Sequence, residues 1–117
     1  MNSRSIGKEK EREACEYLIE NGYEILETNF NSRQGEIDII ARIDEYICFT
    51  EVKYRKSAKT GLPEEAVSIS KMKKISRTAL YYLYQNPQYS KLQMRFDVLA
   101  IEGEDIRFYE NAFMFVN

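Results

Sequence analysis

The stretch from Gly35 to Arg55 constrains the fold most, because it predicts two adjacent strands. Residues 36–42 and 46–53 are rich in Ile, Val, Phe, Tyr and Thr, the residue types that favour strands. The polar pair Asp44-Glu45 separates them at the length of a tight turn, although it lacks the glycine that strengthens such a prediction. The sequence therefore predicts a β-hairpin in this segment.

The register of this hairpin brings two carboxylates together. If Ile43 lies opposite Tyr46, counting outward puts Asp38 opposite Glu51. Side chains alternate along a strand, so Glu51 and Lys53 share one face. Facing carboxylates about 5 Å apart repel by roughly 3 kcal/mol at an effective dielectric constant near 20. A divalent cation offsets this repulsion, because Mg²⁺ takes oxygen ligands and is commonly held by one or two carboxylates.

The spacing Asp38-x12-Glu51-x-Lys53 resembles the catalytic core of the PD-(D/E)xK nucleases. By itself the spacing is weak, since charged proteins contain it by chance. Its apolar context favours a hairpin in the core, with these residues in or beside it: Ile37, Ile39, Ile40, Ile47, Cys48, Phe49 and Val52. The alternative is a core hairpin whose carboxylates lie at its solvent-facing end and have no chemical role.

Composition limits the chemistry and the domain count. With 117 residues and 44% hydrophobic content, residues 1–117 are expected to form one domain. The sequence contains no His, so hydrolysis would have to depend on carboxylates, Lys or Tyr. Two cysteines are too few for a disulfide framework. The beginning of the sequence lacks an apolar signal region and no run approaches a membrane span, so we expect a cytoplasmic protein.

Charge is distributed unevenly along the chain. The net charge is only −2, but residues 53–77 contain eight Lys and Arg against two Glu. A basic segment that begins at the paired carboxylates suits a polyanion, because phosphate binding depends on Lys and Arg. The alternative is that the basic residues of the helix in this segment only solvate its outer side. The predicted nucleic-acid contacts are Arg33, Arg55, Lys56, Lys59 and Lys71.

The remaining elements alternate in a way that defines the fold class. Helices are predicted at 6–21 and from between Pro63 and Ser70 to about Gln85, and strands at 23–30, 93–101 and 105–110. Residues 31–34 are predicted as a turn. With the hairpin, the order is α-β-β-β-α-β-β, which predicts an α/β fold: a mixed β-sheet flanked by a helix on each face.

The second helix has an apolar stripe and a group of tyrosines. Its predicted buried positions are Met72, Ile75, Ala79, Leu80 and Leu83. Tyr81, Tyr82 and Tyr84 are predicted to be packing residues with hydrated hydroxyls rather than a platform on which bases stack.

Several short motifs along nearly the whole chain resemble the YraN family of small bacterial proteins. The matching segments are Gly7, Glu11-x-x-Ala14-x-x-Tyr17-Leu18, Asn21-Gly22-Tyr23, Asn29-Phe30, residues 35–41, Phe49-x-Glu51-Val52-Lys53-x-Arg55, Glu65-Ala66-Val67, Lys71 and Arg95-Phe96-Asp97-Val98-x-Ala100-Ile101. That family is placed in the restriction-endonuclease-like superfamily, beside the archaeal Holliday-junction resolvases. The resemblance therefore implies a restriction-endonuclease-like sheet.

The resemblance also implies roles for individual residues. Asp38 and Glu51 look like metal-binding carboxylates, with the backbone carbonyl of Val52 as a further ligand. Lys53 matches the residue that orients the attacking water and stabilises charge on the phosphate. Glu11 matches an acid of the first helix that completes the site in resolvase-like proteins. Lys10 departs from the family pattern, where Gly usually precedes that Glu, which puts in doubt how closely the first helix approaches the phosphates.

Three functions remain open at this point. The first is a nuclease that uses Mg²⁺ or Mn²⁺ on DNA, with branched or structured sites suggested by analogy with the resolvases. The second is a nucleic-acid binding or assembly module of the same fold with little turnover. The third is a structural interaction protein with a charged surface hairpin. DNA is expected ahead of RNA as partner, no membrane partner is expected, and a homodimer is compatible with the sequence.

Overall fold

A computed structural model describes residues 3–55 and 67–117, including the side chains of residues 7–55 and 67–117. The elements in chain order are helix α1 (Ser3–Glu20), strands β1 (Glu24–Ser32), β2 (Gly35–Ile43) and β3 (Tyr46–Arg55), helix α2 (Ile69–Gln85), a 3₁₀ turn (Pro87–Tyr89), and strands β4 (Gln93–Glu102) and β5 (Asp105–Phe113). In the described ranges, neither helix combines the length and apolar character needed to cross a membrane.

The five strands form one mixed sheet in the order β1-β2-β3-β4-β5. Strands β3 and β4 are parallel, and the other neighbours are antiparallel. The predicted order α-β-β-β-α-β-β is therefore confirmed. Several boundaries differ from the prediction. Asn31 and Ser32, predicted as part of a turn, belong to β1 and pair with Glu36 and Gly35, and β5 extends to Phe113 rather than to residue 110.

Each face of the sheet is covered by one helix, and each helix closes a separate core. The α1 core includes Ala14, Leu18, Ile39, Ala41, Cys48, Leu99 and Ile101. The α2 core includes Ile40, Ile47, Phe49, Ile75, Ala79, Tyr82, Phe96 and Val98. Alternate residues of β3 thus enter opposite cores, as expected for a strand covered on both faces.

The β2–β3 turn forms without glycine. Ile43 pairs with Tyr46, as predicted, so the loop contains only Asp44 and Glu45. Asp44 adopts a positive φ of 51°, and Asp tolerates this left-handed conformation better than most residues. The register set by this turn continues through Ile39 opposite Thr50, which confirms that part of the predicted pairing.

Two predictions about the side chains of α2 were wrong. Leu80 is 48% exposed although it was placed in the buried stripe, and Tyr82 takes the core position beside Ile75 and Ala79. Tyr84 is 82% exposed and Tyr81 is 42% exposed, so these two rings are not core packing residues. The helix is rotated about its axis relative to the stripe that we predicted.

A buried ion pair holds the start of β4 against β5. Asp97 is fully buried and accepts from Nε of Arg95 at 2.9 Å and from the backbone N–H of Asn111 at 2.8 Å. The Arg95 guanidinium also donates to the hydroxyl of Tyr23 at 2.6 Å and lies over the ring of Tyr46. The register of β4 with β5 shifts between Phe96 and Val98. The carboxylate of Asp97 therefore satisfies a backbone donor where the strand ladder is interrupted.

We expect Asp97→Ala to lower the free energy of unfolding by about 3–5 kcal/mol, because it leaves a buried guanidinium without its charged partner. Urea unfolding followed by circular dichroism measures this change. Glu104→Ala, in the exposed turn between β4 and β5, is the control and is expected to change the free energy of unfolding by less than about 0.5 kcal/mol. Equal stability of the two variants would contradict a structural role for Asp97.

Candidate metal centre

Strands β2 and β3 separate at the position where the sequence predicts a site. Their pairing ends at Ile39 and Thr50, so the predicted continuation to Asp38 opposite Glu51 is not made. Instead, Oδ2 of Asp38 accepts a hydrogen bond from the backbone N–H of Val52 at 2.8 Å. A side-chain carboxylate thus replaces the backbone partner, and the two strands part around it.

An irregularity in β1 and β2 explains this separation. Asn29 has a positive φ of 51° and lies between the paired positions Thr28–Ile39 and Phe30–Ile37, hence opposite Asp38. Ile37 and Ile40 both belong to the α2 core, although strict alternation would put residues three apart on opposite faces. The alternation is therefore broken next to Asp38, which leaves this carboxylate at the boundary between the two faces.

Asp38 consequently borders two cavities. The α2-side cavity has a volume of about 120 Å³ and is lined by Asp38, Glu51, Lys71, Lys74, Gly35, Glu36 and Ile75. The α1-side cavity has a volume of about 550 Å³ and includes Asp38, Glu11, Asn29, Val52, Lys10 and Tyr54. Two carboxylates, Asp38 and Glu51, meet only in the smaller cavity.

Glu51 is a buried carboxylate between two lysines. It is 7% exposed, and its Oε1 lies 2.6 Å from Nζ of Lys71 and 3.7 Å from Nζ of Lys53. Lys71 comes from the first turn of α2, whereas Lys53 follows Glu51 on β3. The structure thus places Lys53 and Lys71 beside Glu51, and Asp38 shares the α2-side cavity with Glu51 and Lys71.

The protonation of these groups reflects burial and charge together. Burial, then the charge of Glu51, raises the pKa of Asp38 to about 7, against the hydrogen bond from Val52 that lowers it. Burial, then the neighbouring Lys71, lowers the pKa of Lys53. Burial opposes the charged form of Lys71 as well, but its hydrogen bond to Glu51 leaves the pKa of Lys71 raised. Burial and the charge of Glu51 together therefore favour the protonated form of Asp38 more than in an exposed carboxyl group.

Glu11 approaches from the opposite face. Its side chain, on α1, accepts a hydrogen bond from Nδ2 of Asn29, and burial raises its pKa. It shares the α1-side cavity with Asp38 but does not line the cavity that contains Glu51. Within residues 7–55 and 67–117, no three His, Cys, Asp or Glu side chains are grouped closely enough to hold a metal ion. Asp38 therefore shares the α1-side cavity with Glu11 and the α2-side cavity with Glu51.

The backbone of Val52 fits the predicted ligand role. In a strand, the N–H and C=O of one residue point to the same side. The N–H of Val52 points to Asp38, so its carbonyl opens on that side too, beyond the end of the β2–β3 pairing. Val52 also lines the α1-side cavity.

The predicted nucleic-acid contacts lie in different parts of the structure. Arg33 is exposed in the β1–β2 turn and lines a separate cavity with Tyr81. Arg55 ends β3 and is half-buried. Lys56 and Lys59 lie outside the described residues. Lys71, another predicted nucleic-acid contact, lies beside Glu51.

Sequence reasoning missed the role of Lys71 as the ionic partner of Glu51. Helical spacing contained the signal, because Lys71 precedes the buried residues Ile75 and Ala79 by four and eight positions. A cation at the first turn of a helix is unfavourable with respect to the helix dipole. Its placement on the inner side of α2 therefore indicates a nearby buried anion.

Comparisons with known proteins identify relatives that match most of this chain. A family model described as "Uncharacterised protein family UPF0102" matches residues 10–101. A "UPF0102 protein" of Lachnoclostridium phytofermentans is 48% identical over 113 residues, which cover 97% of this chain and 96% of the relative. Another from Acetivibrio thermocellus is 48% identical and covers 93% and 87% of the two chains, and one from Fusobacterium nucleatum is 42% identical and covers 95% and 92%. The chain therefore belongs to the family UPF0102, which confirms the resemblance to the YraN proteins.

Proposed function

We propose that this protein is a Mg²⁺- or Mn²⁺-dependent nuclease that hydrolyses phosphodiester bonds in DNA, including branched or structured DNA. One observation carries the proposal. Asp38 and Glu51 line one cavity where the pairing of β2 and β3 ends, and the amine of Lys53 lies 3.7 Å from Glu51. We place the activity in the reducing cytoplasm, where the free thiols of Cys15 and Cys48 are expected to persist.

The residues at this place fit a hard divalent cation. Asp38 and Glu51 supply carboxylate oxygens, and the Val52 carbonyl supplies a third oxygen, whereas Mg²⁺ completes its coordination with water and substrate phosphate. Burial, then repulsion by the charge of Glu51, raises the pKa of Asp38. A cation would remove this repulsion. Bound there, the ion supplies a water of lowered pKa and polarises the phosphoryl oxygen.

The protein residues have separate roles in this proposal. Asp38 and Glu51 would hold the metal, and the hydrogen bond from Val52 fixes the direction of the Asp38 carboxylate. Lys53, whose pKa is lowered by burial, can donate to the attacking water and stabilise negative charge on the scissile phosphate. Lys71, 2.6 Å from Oε1 of Glu51, would place a second positive charge beside a bound phosphate. No covalent enzyme intermediate is required.

The experiment is a cleavage assay on matched DNA substrates. Purified protein is incubated with a four-way junction, a flap, a single strand and a blunt duplex, each with Mn²⁺, Mg²⁺ or EDTA. We expect cleavage with Mn²⁺ or Mg²⁺ and none with EDTA, and loss of cleavage in Glu51→Gln. Cleavage that persists in Glu51→Gln would come from a contaminating nuclease. No cleavage of any substrate by the wild type would contradict the proposal.

A second candidate is a nucleic-acid binding or assembly module with the same fold and little turnover. Two observations favour it: Lys71 neutralises Glu51 at 2.6 Å, and Glu11 remains apart from Glu51, so the described side chains form no three-ligand group. This candidate predicts nucleic-acid binding that Mn²⁺ does not alter, without cleavage. DNA is the expected ligand in both cases, and a homodimer is compatible with both.

A further inference from the structure

The outer face of α2 carries cations and exposed aromatic rings. We define it by Lys73, Lys74, Arg77, Tyr81 and Tyr84, all of which are exposed. Lys73, Arg77, Tyr81 and Tyr84 follow at spacings of four, four and three, so they lie along one side of the helix. From Ile69 to Gln85 the helix has four Lys and Arg and no Asp or Glu, in a chain whose net charge is −2.

This face is continuous with the candidate metal centre. Lys74 lines the α2-side cavity together with Asp38, Glu51 and Lys71. A Cβ on Gly35 would lie 3.3 Å from Cβ of Lys74, so the glycine allows the β1–β2 turn to approach the helix there. From Lys74 to Tyr84 the helix rises about 15 Å, the length of about four nucleotides at the rise of one duplex strand.

The β1–β2 turn extends the surface beside the tyrosines. Arg33 and Tyr81 line a cavity of about 220 Å³ with Asn31, Ser32 and Gln34. The hydroxyl of Tyr81 accepts a hydrogen bond from Gln85 at 2.9 Å, and its ring lies 6.2 Å from that of Phe30. The ring is therefore held in place while it remains 42% exposed. Tyr84, at 82% exposed, offers a second ring one turn further on.

We propose that the outer face of α2 binds an unpaired nucleic-acid strand and leads it to the candidate metal centre. The cations suit the backbone phosphates, and the tyrosine rings suit stacking with bases. Bases in a duplex are already stacked on each other, so the rings distinguish an unpaired strand from a duplex. This inference rests on the proposed function for its direction, because the face ends at the α2-side cavity.

Binding is measured in EDTA, so that the result does not depend on cleavage. Fluorescence anisotropy of labelled 20-nucleotide DNA, RNA of the same sequence and a blunt duplex gives Kd at several salt concentrations. We expect at least one of the single strands to bind more tightly than the duplex. Tyr84→Leu is expected to weaken single-strand binding by about tenfold and to leave duplex binding within about twofold. The DNA and RNA probes identify which strand is preferred.

The basic residues have a separate signature. Arg77→Gln is expected to weaken the binding of both the single strand and the duplex. It is also expected to reduce the slope of log Kd against log salt concentration by roughly 0.7 for the single strand. Lys91→Gln removes an exposed cation beyond the end of α2 and is the matched control, with no change in Kd or salt dependence. Met114→Ala, which removes an exposed apolar side chain after β5, is the control for Tyr84→Leu.

The outcomes separate this inference from the proposed function. If the wild type cleaves DNA with Mn²⁺ but Tyr84→Leu binds single strands as tightly as wild type, the inference is wrong and the nuclease proposal stands. If single-strand binding depends on Tyr84 and no substrate is cleaved, the inference holds and the nuclease proposal fails. Binding to phosphatidylserine vesicles without binding to any oligonucleotide would overturn the inference in favour of a membrane surface.

Discussion

Lys53→Ala is expected to reduce Mn²⁺-dependent DNA cleavage by about 10²–10³-fold, which is the usual effect of removing one donor that stabilises charge in a transition state. The Lys53 amine lies 3.7 Å from Glu51 and beside Asp38, whose charge acts on its pKa. In the proposed mechanism this amine stabilises negative charge on the scissile phosphate. Single-turnover cleavage rates with saturating protein measure the change without a contribution from product release.

Metal binding provides the control for this variant. Because an amine is not a metal ligand at this site, Lys53→Ala is expected to retain the stabilisation of the fold by Mn²⁺, whereas Glu51→Gln is expected to lose most of it. Lys91→Ala, which removes an exposed lysine, should leave both cleavage and metal response unchanged. A cleavage rate of Lys53→Ala equal to that of wild type would remove Lys53 from the reaction and leave it as an ionic partner of Glu51.

The hairpin could be predicted because its register depends on local features. The turn at Asp44-Glu45 fixes which residues pair, and apolar residues on both faces make a shift of register costly. Pairing from Ile43–Tyr46 to Ile39–Thr50 follows this expectation. The next predicted pair, Asp38 with Glu51, does not form. Asn29, which has a left-handed conformation, belongs to a third strand, and the hydrogen bond between Val52 and Asp38 involves a side chain. Periodicity within two strands carries no information about either.

The candidate site was predictable where its residues lie on the hairpin, and not where they lie on the helices. Asp38, Glu51 and Lys53 lie on consecutive strands, so their proximity follows from the hairpin. Glu11 and Lys71 belong to helices on opposite faces of the sheet, and their positions depend on how each helix packs. For α2, apolar periodicity placed Leu80 in the core, whereas Tyr82 occupies it. The preference of a Tyr ring for the aromatic cluster formed by Phe30, Phe49 and Tyr89 decided the rotation of the helix.

Asp38 and Asp97 make the same kind of hydrogen bond, with different consequences for stability and function. Each accepts a backbone N–H where a strand ladder is irregular. Asp97 is fully buried and its charge is compensated by Arg95 at 2.9 Å. At Asp38, by contrast, burial and then the charge of another carboxylate, Glu51, raise the pKa. A compensated carboxylate stabilises the fold, whereas an uncompensated one beside a cavity is suited to bind a cation.

Asp38→Asn is therefore expected to stabilise the metal-free protein at high pH. The pKa of Asp38 is raised from 3.8 to about 7, so the folded state binds this proton more tightly than the unfolded state. Stability due to this group falls as pH rises from about 4 through 7, and the full cost is present above pH 7. Asn removes the cost and can still accept the hydrogen bond from Val52. At pH 8 in EDTA, we expect a gain of about 2–4 kcal/mol, measured by urea unfolding, and no gain near pH 4.

Without metal, Asp38→Asn is expected to be the more stable protein at pH 8. Mn²⁺, in contrast, is expected to stabilise wild type more than Asp38→Asn. A ligand that binds only the folded state stabilises it by about 2.7 kcal/mol at one hundred times its Kd, which raises the Tm of a domain of this size by several degrees or more. We expect that shift in wild type and a much smaller one in Asp38→Asn. Asp105→Asn makes the same chemical change at an exposed position at the start of β5 and should behave as wild type at both pH values. Equal Mn²⁺ shifts in wild type and Asp38→Asn would place the ion elsewhere, and a gain in stability that is independent of pH would show that the charge of Asp38 is not its cause.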